Sequence, residues 1–230
     1  MPFCVVLESA TLTGSDCDSV ADDMTGTPDS PSLEQRRKRY LLVRRIVLGA
    51  AVALGILIIG TLLWMVWLNQ EHTSDVSTIN SDGSAGQVLV IYHPGGTDFQ
   101  YEATRAFADT LAGRDYAVDI TTASSKAPTN IEDYDLLVLG SPVYAGKPAK
   151  PLVSYIERLG NLDGQPTVAI ISGQGATDGA VQFTEGLIND ANAQLLDLLV
   201  LWTSAPNEEM YGISDPIEIM EREAGALVIP

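Results

Sequence analysis

Cysteine, histidine and lysine are scarce in this 230-residue chain. The two cysteines, Cys4 and Cys17, lie near the N-terminus, so nothing after them can form a disulfide, a thiol nucleophile or a thiolate metal site. Only two histidines occur, His72 and His93, and a histidine-based zinc centre needs more ligands than these. Positive charge is short overall: 13 Lys and Arg stand against 30 Asp and Glu, for a net charge of −17. Six of the 13, Arg36, Arg37, Lys38, Arg39, Arg44 and Arg45, crowd into one segment. From Asn69 onward, 7 basic residues face 23 acidic ones, a surface that repels nucleic acid and excludes it as a partner. Such acidity serves solubility; with four lysines in the chain, a salt-adapted host is the alternative.

What is present divides the chain into zones. Residues 1–35 are rich in Ser, Thr, Asp and Gly without periodicity, and read as a disordered acidic tail in which Met24 is an alternative start. Residues 36–45 form a basic juxtamembrane segment. The run IVLGAAVALGILIIGTLLWMVWL, Ile46 to Leu68, holds 23 uncharged residues, enough for a helix to cross a bilayer. Trp64 and Trp67 suit the membrane interface, and the preceding basic cluster suits the cytoplasmic side. The expected topology is a single-pass membrane anchor with a cytoplasmic N-terminus and an extracytoplasmic C-terminal domain. A cleaved signal peptide fits less well, because the apolar stretch is too long and no A-x-A-like site follows directly. Residues 69–86 are a polar linker rich in Ser, Gly and Asp, and a globular domain spans 87–230.

Within that domain, apolar runs of strand length alternate with amphipathic stretches. The strands are expected at 87–92, 116–122, 134–140, 166–172 and 196–202, with 116–122 patterned as an edge. The helices are expected at 98–112, closed by Gly113 as a C′ residue, and at 151–159, 178–193 and 216–227. The crossover 123–133 has room for a short helix at most. Strand, helix and strand repeated in this way specify an α/β domain: a doubly wound parallel sheet with helices on both faces.

Three stretches carry a family resemblance: VLVIYHPGGTDF, YDLLVLGSPVYAGKPAKPLVSYIERL and PTVAIISGQGATDG. Through them the domain resembles the flavodoxin family, the middle stretch being the most specific. The resemblance implies a five-stranded sheet in the order 2-1-3-4-5, with FMN at the carboxyl edge where the order reverses. It brings together the loops 93–98, 141–147 and 173–179. The implied cofactor-binding residues are His93, Gly95, Gly96, Thr97, Asp98, Ser141, Pro142, Tyr144, Gly146, Gly173 and Gly175. Amide groups of Gly95, Gly96 and Thr97 would hold the phosphate, Tyr144 would stack on the ring, and the later glycines would allow the backbone close to the ring edge.

The first loop departs from the family's hydroxyl-rich pattern. Asp98 facing a phosphate at about 4 Å repels it by roughly 4 kcal/mol per unit pair at an effective dielectric near 20. The alternative is that Asp98 caps its own helix, or that Thr97 and Gln100 form a capping box. Two functions follow. One is a membrane-anchored FMN protein that transfers electrons to or from a redox protein, or reduces a small-molecule acceptor. The other is a non-catalytic binding module that keeps the fold without the cofactor.

Overall fold

The computed structural model describes residues 32–175, 177–203 and 207–230, so Cys4, Cys17, Met24 and the expectation of a disordered tail over 1–31 lie outside the described residues. The chain divides into two units between Ile59 and Gly60. Helix α1, Leu33–Leu68, runs across that division. It is long and apolar enough to cross a membrane, and none of its side chains is buried. It also starts earlier than the expected zones allow, taking in the end of the tail and the whole basic segment. The reason is local: Leu, Glu, Gln, Arg and Lys are good helix formers. Ser32 accepts from the Gln35 N–H at 3.3 Å, and Glu34 pairs with Lys38 at 2.9 Å one turn on.

In the second unit the alternation of apolar runs produces the elements β1 (Ser77–Ile79), β2 (Gly86–Tyr92), α2 (Phe99–Gly113), β3 (Tyr116–Thr122) and β4 (Leu136–Tyr144). They are followed by β5 (Lys147–Pro148), α3 (Lys150–Leu159), β6 (Pro166–Gly173) and α4 (Asp178–Asp190). The described chain ends with β7 (Gln194–Trp202), α5 (Glu208–Tyr211) and α6 (Pro216–Ala226). The sheet order is β1-β3-β2-β4-β6-β7. Its five parallel strands, β3-β2-β4-β6-β7, reproduce the order 2-1-3-4-5. Successive strand residues point to opposite faces, so continuous apolar runs feed two cores. Val88, Val90, Val138 and Ile170 pack with Phe107, Leu111 and Met220 on one side. Leu89, Ile91, Leu139 and Ala169 pack with Tyr155, Ile156 and Ile188 on the other. Each large side chain so buried contributes about 1.5–3 kcal/mol.

Three expectations need correction. Strand β3 is not an edge, because β1 pairs with it antiparallel, Thr78 opposite Asp119. That pairing turns part of the expected linker into sheet. Helix α2 does not close on Gly113, which is its last helical residue; Asp115, at φ 72°, takes the left-handed position beyond it.

The linker start is also structured. Thr122 Oγ1 donates to the His72 carbonyl and Ser74 Oγ accepts from the Thr122 N–H. The Glu71 carboxylate accepts from the Ser125 N–H and hydroxyl, which lowers its pKa. Asn69 Oδ1 accepts from the Lys150 N–H at 3.2 Å. These bonds strap 69–74 across the carboxyl ends of the strands. No apolar burial is involved, so hydropathy gives no sign of it.

Strands β4 and β5 are joined by a two-residue loop, with Tyr144 opposite Lys147. Ala145 at φ 50° and Gly146 at φ 78° make it a turn in which both central residues are left-handed. Ala145 carries a Cβ where none is favoured. Ala145→Gly should therefore raise stability by about 0.5–1 kcal/mol, the steric relief exceeding the entropy cost of glycine. Thermal melting of the detergent-solubilised chain checks this; an unchanged or lower midpoint contradicts it.

Candidate functional site

Strand order reverses at β2, which has β3 on one side and β4 on the other, so the loops leaving β2 and β4 diverge and open a crevice. A cavity of about 560 Å³ lies there, within the usual range for small-molecule sites. Its walls come from Pro94–Thr97 after β2, Pro142–Gly146 at the end of β4 and Ser172–Gln174 at the end of β6, with Phe99, Gln100 and Thr203. The last turn of α1 adds Trp64, Met65 and Leu68. No charged side chain lines it among the described residues.

Of the residues that the sequence points to, Gly95, Gly96, Thr97, Pro142, Tyr144, Gly146 and Gly173 line the cavity. His93, Asp98, Ser141 and Gly175 do not. Ser141 is fully buried, and its hydroxyl accepts from the Ala149 N–H at 2.8 Å and donates to the Pro142 carbonyl at 2.9 Å. It holds the β4–α3 connection rather than facing a ligand. Asp98 is exposed and its side chain makes no cap bond. The capping box is absent too, since Gln100 turns inward. Its amide oxygen accepts from Thr104 Oγ1 (3.0 Å) and the Ser141 N–H (3.3 Å), and its nitrogen donates to the Ser141 carbonyl (3.2 Å). Gln100 thus ties the first turn of α2 to β4, with Ser172 of β6 also in reach.

His93 is wholly buried. Its Nδ1 accepts from the Gly95 N–H at 3.1 Å and its Nε2–H donates to the Gln70 carbonyl at 3.1 Å. The first bond needs a bare Nδ1, so the ring is neutral with its proton on Nε2. Burial pushes its pKa below the usual histidine value; the Gln70 carbonyl opposes this and neighbouring His72 adds to it. The Gly95 amide is thereby engaged inside the protein. Leu68 covers Gly96: a Cβ added there would lie 2.6 Å from Leu68 Cδ2. The backbone N–H groups of Thr97, Asp98 and Phe99 have no acceptor among the described residues. They form the unsatisfied N-terminus of α2, where an anion is stabilised.

Tyr144 leans over this loop, its hydroxyl 3.2 Å from where a Gly95 Cβ would be. Its ring meets His93 edge-on at 6.3 Å between centroids. Burial raises the phenol's pKa and the adjacent Gly96 amide opposes the rise. That amide lies beside the oxygen without closing a bond of normal geometry, so the hydroxyl is buried and unpartnered. On the far wall Gly173 leaves space that Thr177 occupies; a Cβ would stand 2.6 Å from Thr177 Cγ2. Sequence reasoning missed Trp64, Met65 and Leu68, because an apolar run before a polar segment signals only a membrane span.

No protein-family model matches the chain, and no curated protein matches it. Solved structures do. The flavodiiron core of Flv1 from Synechocystis sp. PCC6803 superposes with a TM-score of 0.50 at 15% identity, over 64% of this chain and 36% of that one. The chain thus spans about a third of the length of that protein. The Streptococcus pneumoniae TIGR4 flavodoxin gives a TM-score of 0.48 at 21% identity, over 60% of this chain and 94% of that one. The strand order, the helices on both faces and the likeness to the flavodiiron core agree: the domain has a flavodoxin-like fold.

Proposed function

We propose that this chain is a membrane-anchored flavodoxin-like protein that holds FMN in the cavity and exchanges electrons with a partner at the membrane. The observation that carries this reading is the crevice at the strand-order reversal, with the amides of Thr97 and Phe99, which have no acceptor among the described residues, at one end and the Tyr144 and Gly173 loops at the other. The residues fit the group. The amides would take the phosphate, and the Pro142–Gly146 and Gly173–Gln174 segments would face the ring. Asp98 stands outside the cavity lining and exposed, so its carboxylate acts on a phosphate through water. At a water-like dielectric its repulsion falls to about 1 kcal/mol. Bound FMN would supply the redox chemistry; the protein would supply position and electrostatics. The basic cluster before the span supports a cytoplasmic N-terminus, and the acidic domain surface supports docking to a basic redox protein.

A non-catalytic module is the second reading, favoured by the engagement of the Gly95 amide with His93 and by Leu68 over Gly96. Titrating the solubilised chain with FMN separates the two. Saturable quenching of FMN fluorescence is expected, with Asp98→Asn tightening binding by no more than about tenfold. The electron-transfer reading fails if the wild-type chain gives no saturable quenching and carries no flavin absorption.

A further inference from the structure

We propose that the cavity also admits a flat, uncharged, carbonyl-bearing ring compound dissolved in the bilayer, which enters along a wall made by Trp64, Met65 and Leu68. The inference deepens the reading of this site as a membrane-anchored redox site and rests on it.

Five observations converge. The wall residues are the last turn of the apolar span, at the depth where Trp64 and Trp67 mark the membrane interface, their rings 5.2 Å apart. Trp64 is 58% exposed and Met65 37%, so the wall presents apolar surface at the cavity. The wall is fixed to the loops rather than draped near them. Leu68 packs on Gly96, Asn69 is bonded to Lys150 and Gln70 to His93. The cavity has no charged side chain among the described residues, so an uncharged ring meets no unpaired charge there. Tyr144 brings to the same cavity a buried hydroxyl with no partner, a donor that a ring carbonyl would satisfy. A water-soluble acceptor would use the polar loops and gain nothing from the helix end. An apolar tail left in the bilayer would align such a ring with the entrance and lower the cost of binding.

The test is equilibrium dialysis of a radiolabelled benzoquinone bearing a decyl tail, and of the same ring without it, against the full chain in nanodiscs with FMN added. Empty nanodiscs give the partition correction. Wild type should bind the tailed ring at least tenfold more tightly than the tailless one. Leu68→Asn and, separately, Trp64→Gln, whose side chain is outside the domain core, should each erase most of that advantage. Tyr144→Phe should weaken both compounds alike by about fivefold. Equal affinity for the two compounds in wild type, or an advantage that survives both wall substitutions, overturns the proposal. FMN quenching read on the same samples keeps the outcomes apart. Loss of FMN binding with the tail advantage intact strikes the cofactor reading, whereas FMN binding without a tail advantage strikes this one.

Discussion

Gly140→Ala lowers the stability of the domain by about 3 kcal/mol, the sum of overpacking a close-packed core and breaking a buried hydrogen bond. Gly140 lies in β4 between Tyr92 of β2 and Ile170 of β6, in the middle of the parallel sheet. A Cβ there would meet Thr104 Oγ1 at 2.7 Å, the Gln100 amide at 2.9 Å and Tyr92 Cβ at 3.0 Å. None of these can withdraw cheaply. Gln100 is held by Ser141 and Thr104, and Tyr92 is fixed by the strand. Helix α2 must lift from the sheet or the Gln100 amide must leave its partners. For a chain of this size about 3 kcal/mol corresponds to a fall of roughly 6–12 °C in melting temperature. Circular dichroism melts of the solubilised chain measure it. A fall of under about 2 °C would show that the α2–β4 contact is soft.

His93→Ala is the second large effect, about 2–4 kcal/mol from the vacated volume and two orphaned partners. The Gly95 N–H and the Gln70 carbonyl both lose their bond when the imidazole is removed. The variant also changes the response to acid. The native ring is buried with its pKa lowered, whereas the unfolded chain takes up a proton near pH 6.5. Between those two values the unfolded state binds more protons, so stability rises with pH and is lost as pH falls below about 6.5. The slope can reach about 1.4 kcal/mol per pH unit until carboxylates begin to titrate. Denaturant midpoints compared at about pH 7 and about pH 5.5 should fall more in wild type than in His93→Ala. Equal falls would show that His93 is not held neutral.

The parallel sheet could be read from the sequence because Leu89, Ile91, Leu137 and Leu139 continue apolar patterns that only strands covered on both faces require. Helices α2, α3, α4 and α6 were readable from one-sided periodicity, with boundaries displaced by a few residues at most. Strand β1 and the strap were not. The strap is held by hydroxyls and carbonyls of Ser74, Thr122 and His72, and β1 by its backbone pairing with β3 and the Thr78–Asp119 bond; a short polar sequence of this kind looks the same whether it is bonded or free. In the site, loop positions followed from topology, but side-chain direction did not. Ser141 faces inward, and Asp98 neither caps α2 nor lines the cavity. His93 was singled out with the loop, yet its role is to engage the Gly95 amide and the Gln70 carbonyl.

The strap over residues 69–74 bears on the life of the protein as well as its shape. A stalk between an anchor and a folded domain is the usual place for a protease to cut, because an extended, unbonded backbone fits a protease cleft. Here the backbone at Ser74 and His72 is held by Thr122, and Ser77–Ile79 is locked into the sheet. Cleavage would first require that edge to peel away. The same docking keeps the β3 edge from pairing with a neighbouring chain. The polar stretch that follows α1 is thus built to resist clipping, because its backbone is held by the same sheet that it borders.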